Sequence, residues 1–432
     1  MIVPLIQFRL SRTGASCSPL SANIYFPAIP TLVLAFDKSV ELIKLTVTSN
    51  MVFQGISSMF WGTLLDSYGR RHGMFILCLL LLALSCIGLA LTPTRDYWLL
   101  LFLRCFQAVW SASTVGIGAG FLGDISARAE RAGFLGAHSI GTMVRAHLPR
   151  VSAPTEDIPG WALLTRAWGH IPFACFLPET LCVVVGNGSV LPPTIYYPVV
   201  PVIGRHTSKS GTTARPVFPR KAFQNPLRLL LHVDVALLLI SNGFVYSVFY
   251  GVTASISTVF YRTYPQLSEA ELGLCFLTVG GGIVFGSLFC GKVLDRDYQR
   301  VRRTETTDDA FPIEKARVRL SPVLLAVFVT SCIGYAWCID RRTNIAGLVI
   351  LLLGVGLVSI AVMNLIQTLM LDLIPQKMSS ITACNNLVRS GLGAGMVSVI
   401  QPLLDALGTG YAYLFLGGIS ALMGPWCTLS YA

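Results

Sequence analysis

Long runs of residues without a charged side chain alternate along this chain with short polar segments. An α-helix needs about 20 apolar residues to cross the hydrocarbon core of a bilayer, and each run has roughly that length or more. A further run over 378–404 is interrupted only by Arg389. The pattern therefore predicts an all-α polytopic membrane protein with about ten clear transmembrane helices. The uncharged runs are 13–36, 45–65, 73–94, 105–123, 235–261, 272–291, 320–339, 343–371 and 406–432.

Composition and charge support the same class. The chain of 432 residues is 53% hydrophobic and 12% charged, whereas soluble domains are about 25% charged. Its net charge of +11 comes largely from loops, including a basic linker without acids over 182–228. Excess Lys and Arg mark the cytoplasmic side of a membrane protein, so this distribution predicts two cytoplasmic termini and no nucleic-acid partner.

Two helical blocks flank the linker. We predict an N-terminal half over 1–181, a cytoplasmic linker over 182–228, and a C-terminal six-helix half over 229–432. The segments GTLLDSYGRR at 62–71 and GKVLDRDYQR at 291–300 each follow the second span of their half and share Gly-x-x-Leu-Asp before basic residues. This weak internal repeat is typical of transporters built from two related halves.

The polar segment WGTLLDSYGRRHGMF at 61–75 fits a short cytoplasmic turn between two spans. Gly62 and Gly69 allow a tight turn and a close approach of backbones. Asp66 can face the positive N-terminal end of a neighbouring helix. Arg70 and Arg71 fit the wet interface, where they fix orientation. A generic positively charged loop would not require these residues in this order.

That order of residues resembles the signature loop of the major facilitator superfamily. Other segments are similar to fungal twelve-helix drug:proton antiporters of the quinidine-resistance and multidrug type. The resemblance implies two six-helix halves, with helices 5–6 aberrant here. It rests on SPLSANIYFPAIPTL at 18–32, LTVTSNMVFQGIS at 45–57, LRCFQAVWSAS at 103–113, LPETLCVVVGNGS at 177–189, and the segments NLIQTLMLDLIP and ACNNLVRSGLGAG.

The resemblance implies a secondary transporter that exports drugs or a secondary metabolite by alternating access. A proton gradient would supply the energy, so no cofactor is expected. The implied partners are a small-molecule substrate, protons and the lipid bilayer. The implied location is the plasma membrane, crossed many times by a monomer.

Two groups of residues receive roles from this resemblance. Asp66, Gly69 and Arg70 would form a cytoplasmic latch together with Gly62 and Arg71, and Asp124 would be the partner of Arg70. Arg104 corresponds to an intramembrane arginine of the family. An arginine within a span is a candidate functional residue, which could tune the pKa of a proton carrier or hold a structural carbonyl.

Polar residues in the second-half spans are candidates for lining a substrate cavity. The alternative for each is an interhelical hydrogen bond, worth about 0.6 kcal/mol on average. Glycine pairs at GxxxG spacing, Gly116 with Gly120 and Gly391 with Gly395, predict close helix packing. The cavity candidates are Asn242, Tyr246, Tyr250, Asn364, Gln367, Asn385, Asn386 and Arg389.

The chain departs from the family pattern in three places. Residues 143–173 are rich in Arg, His and Pro where the family has its fifth helix, with a Gly-Pro-x-x-Gly-Gly motif, and most of the sixth. We expect no two stable spans over 145–173, but a short helix from about 131 to 144. Trp110 is bulky where the family has small residues, and 13–36 lacks a proton-carrying acid. The chain could be an inactive product of a misread gene or a functional ten-helix variant.

Other functions find less support. A transporter-like receptor or regulator without transport stays open. An enzyme is not expected, because the spans contain no catalytic constellation. GSLFCGKV at 286–293 nearly matches a phosphate-binding loop, but Val293 stands where Ser or Thr must bind magnesium and no strand precedes it. The six His residues show no metal-binding spacing.

Overall fold

A computed structural model describes residues 32–68, 73–147, 226–266, 269–304, 317–375 and 377–429. Every regular element within these ranges is helical, so the all-α prediction is confirmed. The predicted domain boundaries stay a prediction, because 1–31 and 148–225 lie outside the described residues.

The described residues before the predicted linker contain four long α-helices. The first two begin and end close to uncharged runs, and the third begins directly after Asp96, before the run 105–123. The short connection over 126–130 leads directly from the third helix into the fourth. These helices are α1 Val40–Tyr68, α2 Gly73–Ala90, α3 Tyr97–Ile125 and α4 Arg131–His147.

Beyond the linker, the described ranges contain five long α-helices, preceded by a 3₁₀ helix over Pro226–Leu231. The last of them contains a kink at Gly408, whose φ of 75° and ψ of 166° are not helical. Glycine tolerates this positive φ because it lacks a Cβ, and the kink lies near the start of the second of the two predicted runs, 378–404 and 406–432. These helices are α5 Val233–Thr263, α6 Glu269–Thr304, α7 Ser321–Asp340, α8 Ile345–Leu373 and α9 Met378–Leu429.

Six stretches of the described chain are long and apolar enough to cross a membrane. Their large exposed apolar side chains fit a lipid environment. α6 continues to Thr304, well beyond the predicted run 272–291, because its polar end leaves the apolar layer. The stretches are Tyr97–Asp124, Val233–Thr263, Glu271–Arg303, Ser321–Asp340, Ile345–Leu373 and Met378–Leu422.

The two halves meet mainly along two pairs of helices, α1 with α9 and α4 with α6, and α3 with α9 and α4 with α8 also touch. Glycines make the second contact close. A Cβ at Gly136 would lie 2.3 Å from the carbonyl oxygen of Ser287, so only glycine fits there. Within the second half, a Cβ at Gly282 of α6 would lie 2.1 Å from the carbonyl oxygen of Leu353 on α8, so glycine is needed there too.

The prediction that Gly391 and Gly395 pack closely is wrong for the described residues. A Cβ at either glycine would meet no described atom within 4 Å. Spacing alone does not say which face of a helix meets a neighbour, and α9 turns a different face towards α1 and α5. A Cβ at Gly116 would touch Leu65, at 3.0 Å from its Cδ1, which agrees with a packing role.

The helix expected from about 131 to 144 is present as α4, which is described over Arg131–His147. Residues 148–225 lie outside the described part of the chain, so the expectation that this helix is too short to cross a bilayer stays a prediction. The prediction about two absent spans concerns 145–173, most of which lies outside the described residues.

Candidate functional site

Asp66, near the end of α1, binds the N-terminus of α9. Its Oδ1 accepts a hydrogen bond from the Ser379 backbone N–H at 3.1 Å. Its Oδ2 accepts from the N–H and the hydroxyl of Ser380, both at 2.7 Å. The first N–H groups of a helix have no partner within it, and the helix dipole favours a negative charge there. The carboxylate therefore joins the first half to the second.

Gly62 lies one turn before Asp66 and brings the two helices together. A Cβ at this position would lie 2.7 Å from the Cβ of Ala383 and 2.8 Å from the carbonyl oxygen of Ser379. Real Cβ atoms do not approach so closely. The glycine is therefore needed to place the Asp66 carboxylate at the end of α9.

The second half repeats this arrangement with the partners exchanged. Asp295 on α6 accepts hydrogen bonds from the backbone N–H groups of Ala132, at 3.1 Å, and Gly133, at 2.7 Å, at the N-terminus of α4. Gly291, one turn before Asp295, is the counterpart of Gly62, because a Cβ there would lie 2.9 Å from the Ala132 carbonyl oxygen. The repeat seen in the sequence is thus a repeat of contacts between the halves.

A buried ion-pair cluster lies beside these contacts. Asp372, at the end of α8, accepts a hydrogen bond at 2.6 Å from Nη1 of Arg131 on α4 and one at 3.0 Å from Nε of Arg317. Arg317 also lies 3.5 Å from Asp295 and donates to the carbonyl oxygen of Arg128 at 2.6 Å. Arg131 belongs to the first half and Asp372 to the second, so this cluster also crosses between the halves.

Burial affects the charge on Arg131. Loss of solvent lowers the pKa of its guanidinium below the ordinary value, and the neighbouring Asp372 carboxylate raises it. A buried ion pair persists only where its partners satisfy each other's hydrogen bonds. Here the carboxylate of Asp372 has a cationic partner on each oxygen, which meets that condition.

The other predicted latch residues are only partly described. Gly69, Arg70 and Arg71 lie outside the described residues. Asp124 lies one residue before the end of α3, is partly buried and has interactions of its own. Its predicted pairing with Arg70 stays a prediction.

Arg104 is fully buried on α3, with 0% of its surface exposed. Its Nη1 donates to Oε1 of Gln107 at 2.8 Å, and Gln107 in turn contacts Sγ of Cys86 on α2 at 3.2 Å. Asn50 on α1 donates to the Arg104 backbone carbonyl at 3.0 Å. The arginine therefore lies where three helices of the first half meet.

Trp110 does not obstruct the packing around Arg104. It contacts Trp61 and Phe106, with ring centroids 5.8 and 5.6 Å apart. Positions 106 and 110 lie on the face of α3 opposite the one that carries Arg104 and the fully buried Ala108. The bulky residue is accommodated because it belongs to an aromatic row, which the comparison with small family residues did not anticipate.

Several cavity candidates form one hydrogen-bond chain inside the second half. Asn242 on α5 donates to Asn385 on α9 at 2.8 Å, and Asn385 donates to Gln367 on α8 at 2.6 Å. Gln367 donates to the hydroxyl of Thr382 at 2.8 Å. Asn242 and Asn385 are at most 3% exposed. For these residues the geometry matches the alternative of interhelical hydrogen bonding.

The remaining candidates lie towards the first half. Asn386 donates to the Gln54 carbonyl of α1 at 3.4 Å and accepts from Nη2 of Arg389 at 2.8 Å. The Arg389 guanidinium lies over the ring of Tyr246, 4.8 Å from its centroid, and the rings of Tyr246 and Tyr250 are 4.4 Å apart. These residues meet at the boundary between the halves.

Asn364 links a further helix to this region, since it accepts a hydrogen bond at 2.9 Å from Ser139 of α4. Its own amide nitrogen is buried and has no hydrogen-bond partner among the described atoms. Asn364 lies one turn before Gln367 on α8. The eight cavity candidates are thus brought into one region, although their part in transport stays a prediction.

Sequence reasoning missed several residues of the contacts between the halves. Asp295 stood in the repeat but was not singled out, and Asp372 is a lone acid at the end of an uncharged run. Arg131 was not singled out. Ser379 and Ser380 gave the ordinary signal of a helix start. Among the described residues no group of three His, Cys, Asp or Glu could hold a metal ion.

Comparison with known families and proteins agrees with this geometry. The family model described as Major Facilitator Superfamily matches residues 13–399. Citrate exporter 1 of Aspergillus niger is 33% identical over 95% of this chain and 82% of its own length. MFS antiporter QDR2 of Candida albicans is 30% identical over 94% of this chain and 84% of its own. Multidrug transporter QDR2 of Candida glabrata is 26% identical over 96% and 77%.

Two solved structures share the fold. The human organic anion transporter MFSD10 superposes with a TM-score of 0.67 at 16% identity and covers 98% of this chain and 99% of its own. The proton:xylose symporter XylE has a TM-score of 0.71 at 12% identity over 100% and 96%. At these identities the likeness concerns the fold alone.

Proposed function

The chain belongs to the Major Facilitator Superfamily, and on this basis we propose that it exports a small molecule across the plasma membrane in exchange for protons. The members of the family and the relatives are transporters and not enzymes. The proton gradient supplies the energy in this proposal, so no cofactor takes part. A monomer is sufficient, because both halves lie in one chain.

The observation that carries the proposal is the pair of carboxylate contacts between the halves. Asp66 of the first half binds α9 of the second, and Asp295 of the second half binds α4 of the first. Both contacts lie at the same end of the bundle and require the halves to touch there. Alternating access needs contacts that form in one state and break in the other.

The ion pairs around Asp372 act in the same direction. They link Arg131 to the opposite half, so they too must separate when this end opens. Charged hydrogen bonds contribute about 1.5–3 kcal/mol each. Several such bonds would hold this end firmly closed, and substrate or proton binding must supply the difference that opens it.

The location of the termini determines which side of the membrane this end of the bundle faces. If both termini are cytoplasmic, α1 and α3 end in the cytoplasm, and so does the contact formed by Asp66. The described arrangement would then be closed towards the cytoplasm. Export would begin when Asp66 and Asp295 release their helices and admit a substrate from inside.

Proton coupling is assigned to Arg104. Its complete burial at the meeting point of three helices supports either a charge that tunes a neighbouring proton carrier or a structural bond. The hydrogen bond from Asn50 to the backbone carbonyl oxygen of Arg104 favours the structural role. The hydrogen bond from its guanidinium to Gln107 is compatible with the coupling role, which substitution of Arg104 tests.

The relatives suggest two substrate classes. One is named as an exporter of citrate and another as a multidrug transporter. For this chain we propose a small organic molecule that binds between the halves, near Arg389 and Tyr246.

Transport by the purified chain in liposomes tests the proposal. The full-length protein is reconstituted with a pH gradient, and uptake of candidate substrates is measured together with proton release by a pH-sensitive dye. We expect substrate movement to dissipate the gradient. Asp66→Asn should lower the rate of this movement at least tenfold, whereas Ser57→Ala, which removes only a hydroxyl bonded within α1, should not change it.

Two other outcomes have clear meanings. Binding of a ligand without any movement across the membrane would favour a receptor or regulator. Folded protein that neither binds nor transports would favour an inactive gene product. Either result would contradict the proposed function.

A further inference from the structure

The charged side chains of the described helices are unevenly distributed with depth. Acidic residues gather towards the two ends of the bundle, with Asp66, Asp295 and Asp372 at one end and Glu41 and Asp405 at the other. Arginine is different. Two arginines lie well within their helices, Arg104 on α3 and Arg389 on α9, and no Asp or Glu of the described residues lies at their depth.

Contacts with α1 place both arginines at a similar depth. Asn50 bonds the backbone of Arg104, and Gln54 accepts from Asn386, the neighbour of Arg389. Asn50 and Gln54 are four residues apart on one helix, which corresponds to about 6 Å along its axis. α1 therefore lies between a positive charge of the first half, Arg104, and a positive charge of the second half, Arg389.

Arg389 is held in a geometry that suits recognition of an anion. Its guanidinium carbon lies over the Tyr246 ring, 4.8 Å from the centroid, and its Nη2 donates to Asn386. Its Nε is buried and has no hydrogen-bond partner among the described atoms. The N–H groups that remain can bind a carboxylate, which a guanidinium holds through two parallel hydrogen bonds.

The surroundings of Arg389 belong to both halves. A Cβ at Gly393, one turn along α9, would lie 2.8 Å from Met51 of α1 and 2.9 Å from the Tyr246 ring of α5. A ligand bound at Arg389 would thus touch the surface that closes and opens between the halves. This is the position that a transported substrate must occupy.

We infer that the molecule carried by this chain is an organic anion whose carboxylate pairs with Arg389. This inference rests on the proposed transport function. A cationic drug would add a third positive charge to a region where the described helices place no carboxylate, and a charge in a low-dielectric site is costly unless it is paired. An anion instead neutralises the half-buried guanidinium of Arg389. With Arg104 at a similar depth, the local field favours molecules with more than one carboxylate.

The competing interpretation is that Arg389 only holds Asn386 against α1. In that case neither charge nor ligand would matter, and loss of the side chain would affect stability alone. The binding experiment below separates the two interpretations through the ligand's charge.

Ligand binding is measured on the purified full-length chain by the rise in its thermal unfolding midpoint. The probes are citrate, succinate, benzoate and the uncharged trimethyl ester of citrate. We expect at least one carboxylate to bind and the ester not to bind. Arg389→Gln should weaken carboxylate binding at least tenfold, and Arg389→Lys should weaken it less, because it keeps the charge and loses the planar fork.

Arg262→Gln provides the matched control, since it removes an arginine paired with Asp405 at the exposed end of the bundle. Its carboxylate binding should equal that of the unaltered chain. If Arg389→Gln cannot be purified, the comparison of citrate with its ester on the unaltered chain still decides. Equal binding of citrate and ester, or unchanged binding by Arg389→Gln, would overturn the inference.

Transport assays separate this inference from the proposed function. Proton-driven movement of the cation rhodamine 6G without movement of any carboxylate would leave the transport function intact and overturn the anion. Binding of a carboxylate through Arg389 without transport would overturn the function and leave the anion site. Failure of all probes in both assays would overturn both.

Discussion

Asp66 and Ser380 hold the first and last described helices together through two hydrogen bonds of 2.7 Å to one carboxylate oxygen. One donor is the backbone N–H at the start of α9 and the other is the serine hydroxyl. The bond belongs to neither half alone. These hydrogen bonds should therefore affect the equilibrium between arrangements of the halves more than the stability of either half.

Replacing Asp66 by Asn tests this view. The amide keeps the shape of the side chain but lacks the charge, and its NH₂ group faces donors where the carboxylate had acceptors. We expect the rate of transport to fall at least tenfold, with normal insertion into the membrane. Efflux at the unaltered rate from well-inserted Asp66→Asn protein would contradict a role in switching.

Adding a methyl group at the repeated glycines should loosen the same end of the bundle. Gly62→Ala places a Cβ 2.7 Å from Ala383, so α1 and α9 must move apart. We expect faster alkylation of the neighbouring buried Cys384, followed by mass spectrometry of its peptide. Gly291→Ala places a Cβ against the backbone of α4. This variant should also loosen this end of the bundle and slow transport.

Gly281→Ala on α6 is the control for both glycine variants. A Cβ at Gly281 meets no described atom within 4 Å, and alanine favours a helix more than glycine does. Its transport rate and Cys384 reactivity should match those of the unaltered chain. If Gly62→Ala behaves like Gly281→Ala, the close approach has no functional meaning.

Asp372→Asn should be the most damaging of the substitutions to stability. It leaves two buried arginines, Arg131 and Arg317, without their shared carboxylate. Loss of one partner of a buried ion pair costs about 3–5 kcal/mol. The free energy of unfolding in detergent should fall by that order.

A second substitution tests whether this cost is an uncompensated charge. Arg131→Gln added to Asp372→Asn should cost less than the sum of the two separate effects, because residues in one network are coupled. Additive effects in this double-mutant cycle would show that Arg131 and Asp372 act independently, against the ion-pair interpretation.

Arg104→Lys separates charge from geometry at the buried arginine. Lysine retains the positive charge but lacks the planar set of five donors. We expect strongly reduced transport by protein that still inserts, measured as pH-dependent efflux from vesicles. Normal efflux by Arg104→Lys would leave charge as the only requirement, and normal efflux by Arg104→Ala would exclude a role in coupling.

The helices could be predicted from the sequence because a bilayer permits few alternatives. Backbone groups in hydrocarbon must bond within the chain, so a long uncharged run becomes a helix. The run 343–371 lies almost entirely within α8, and the kink at Gly408 lies close to the boundary between two predicted runs.

The partners of the polar residues could not be predicted in the same way. A sequence repeat indicated that 62–71 and 291–300 are related, but not that each aspartate binds a helix of the opposite half. Facing residues depend on how the helices rotate, which is why the GxxxG spacing of Gly391 and Gly395 misled. Asp372 gave no local signal, since its partners lie 241 and 55 residues away in the sequence.

Two backbone amides and a hydroxyl at the start of α9 donate hydrogen bonds to Asp66. Attraction between two exposed ions weakens as dissolved salt accumulates around them, but a partly buried carboxylate in direct contact with fixed peptide dipoles is screened far less. The balance between the two arrangements of the halves should thus depend little on ionic strength. A cell under osmotic stress could change its internal salt content without changing how tightly this side of the protein closes.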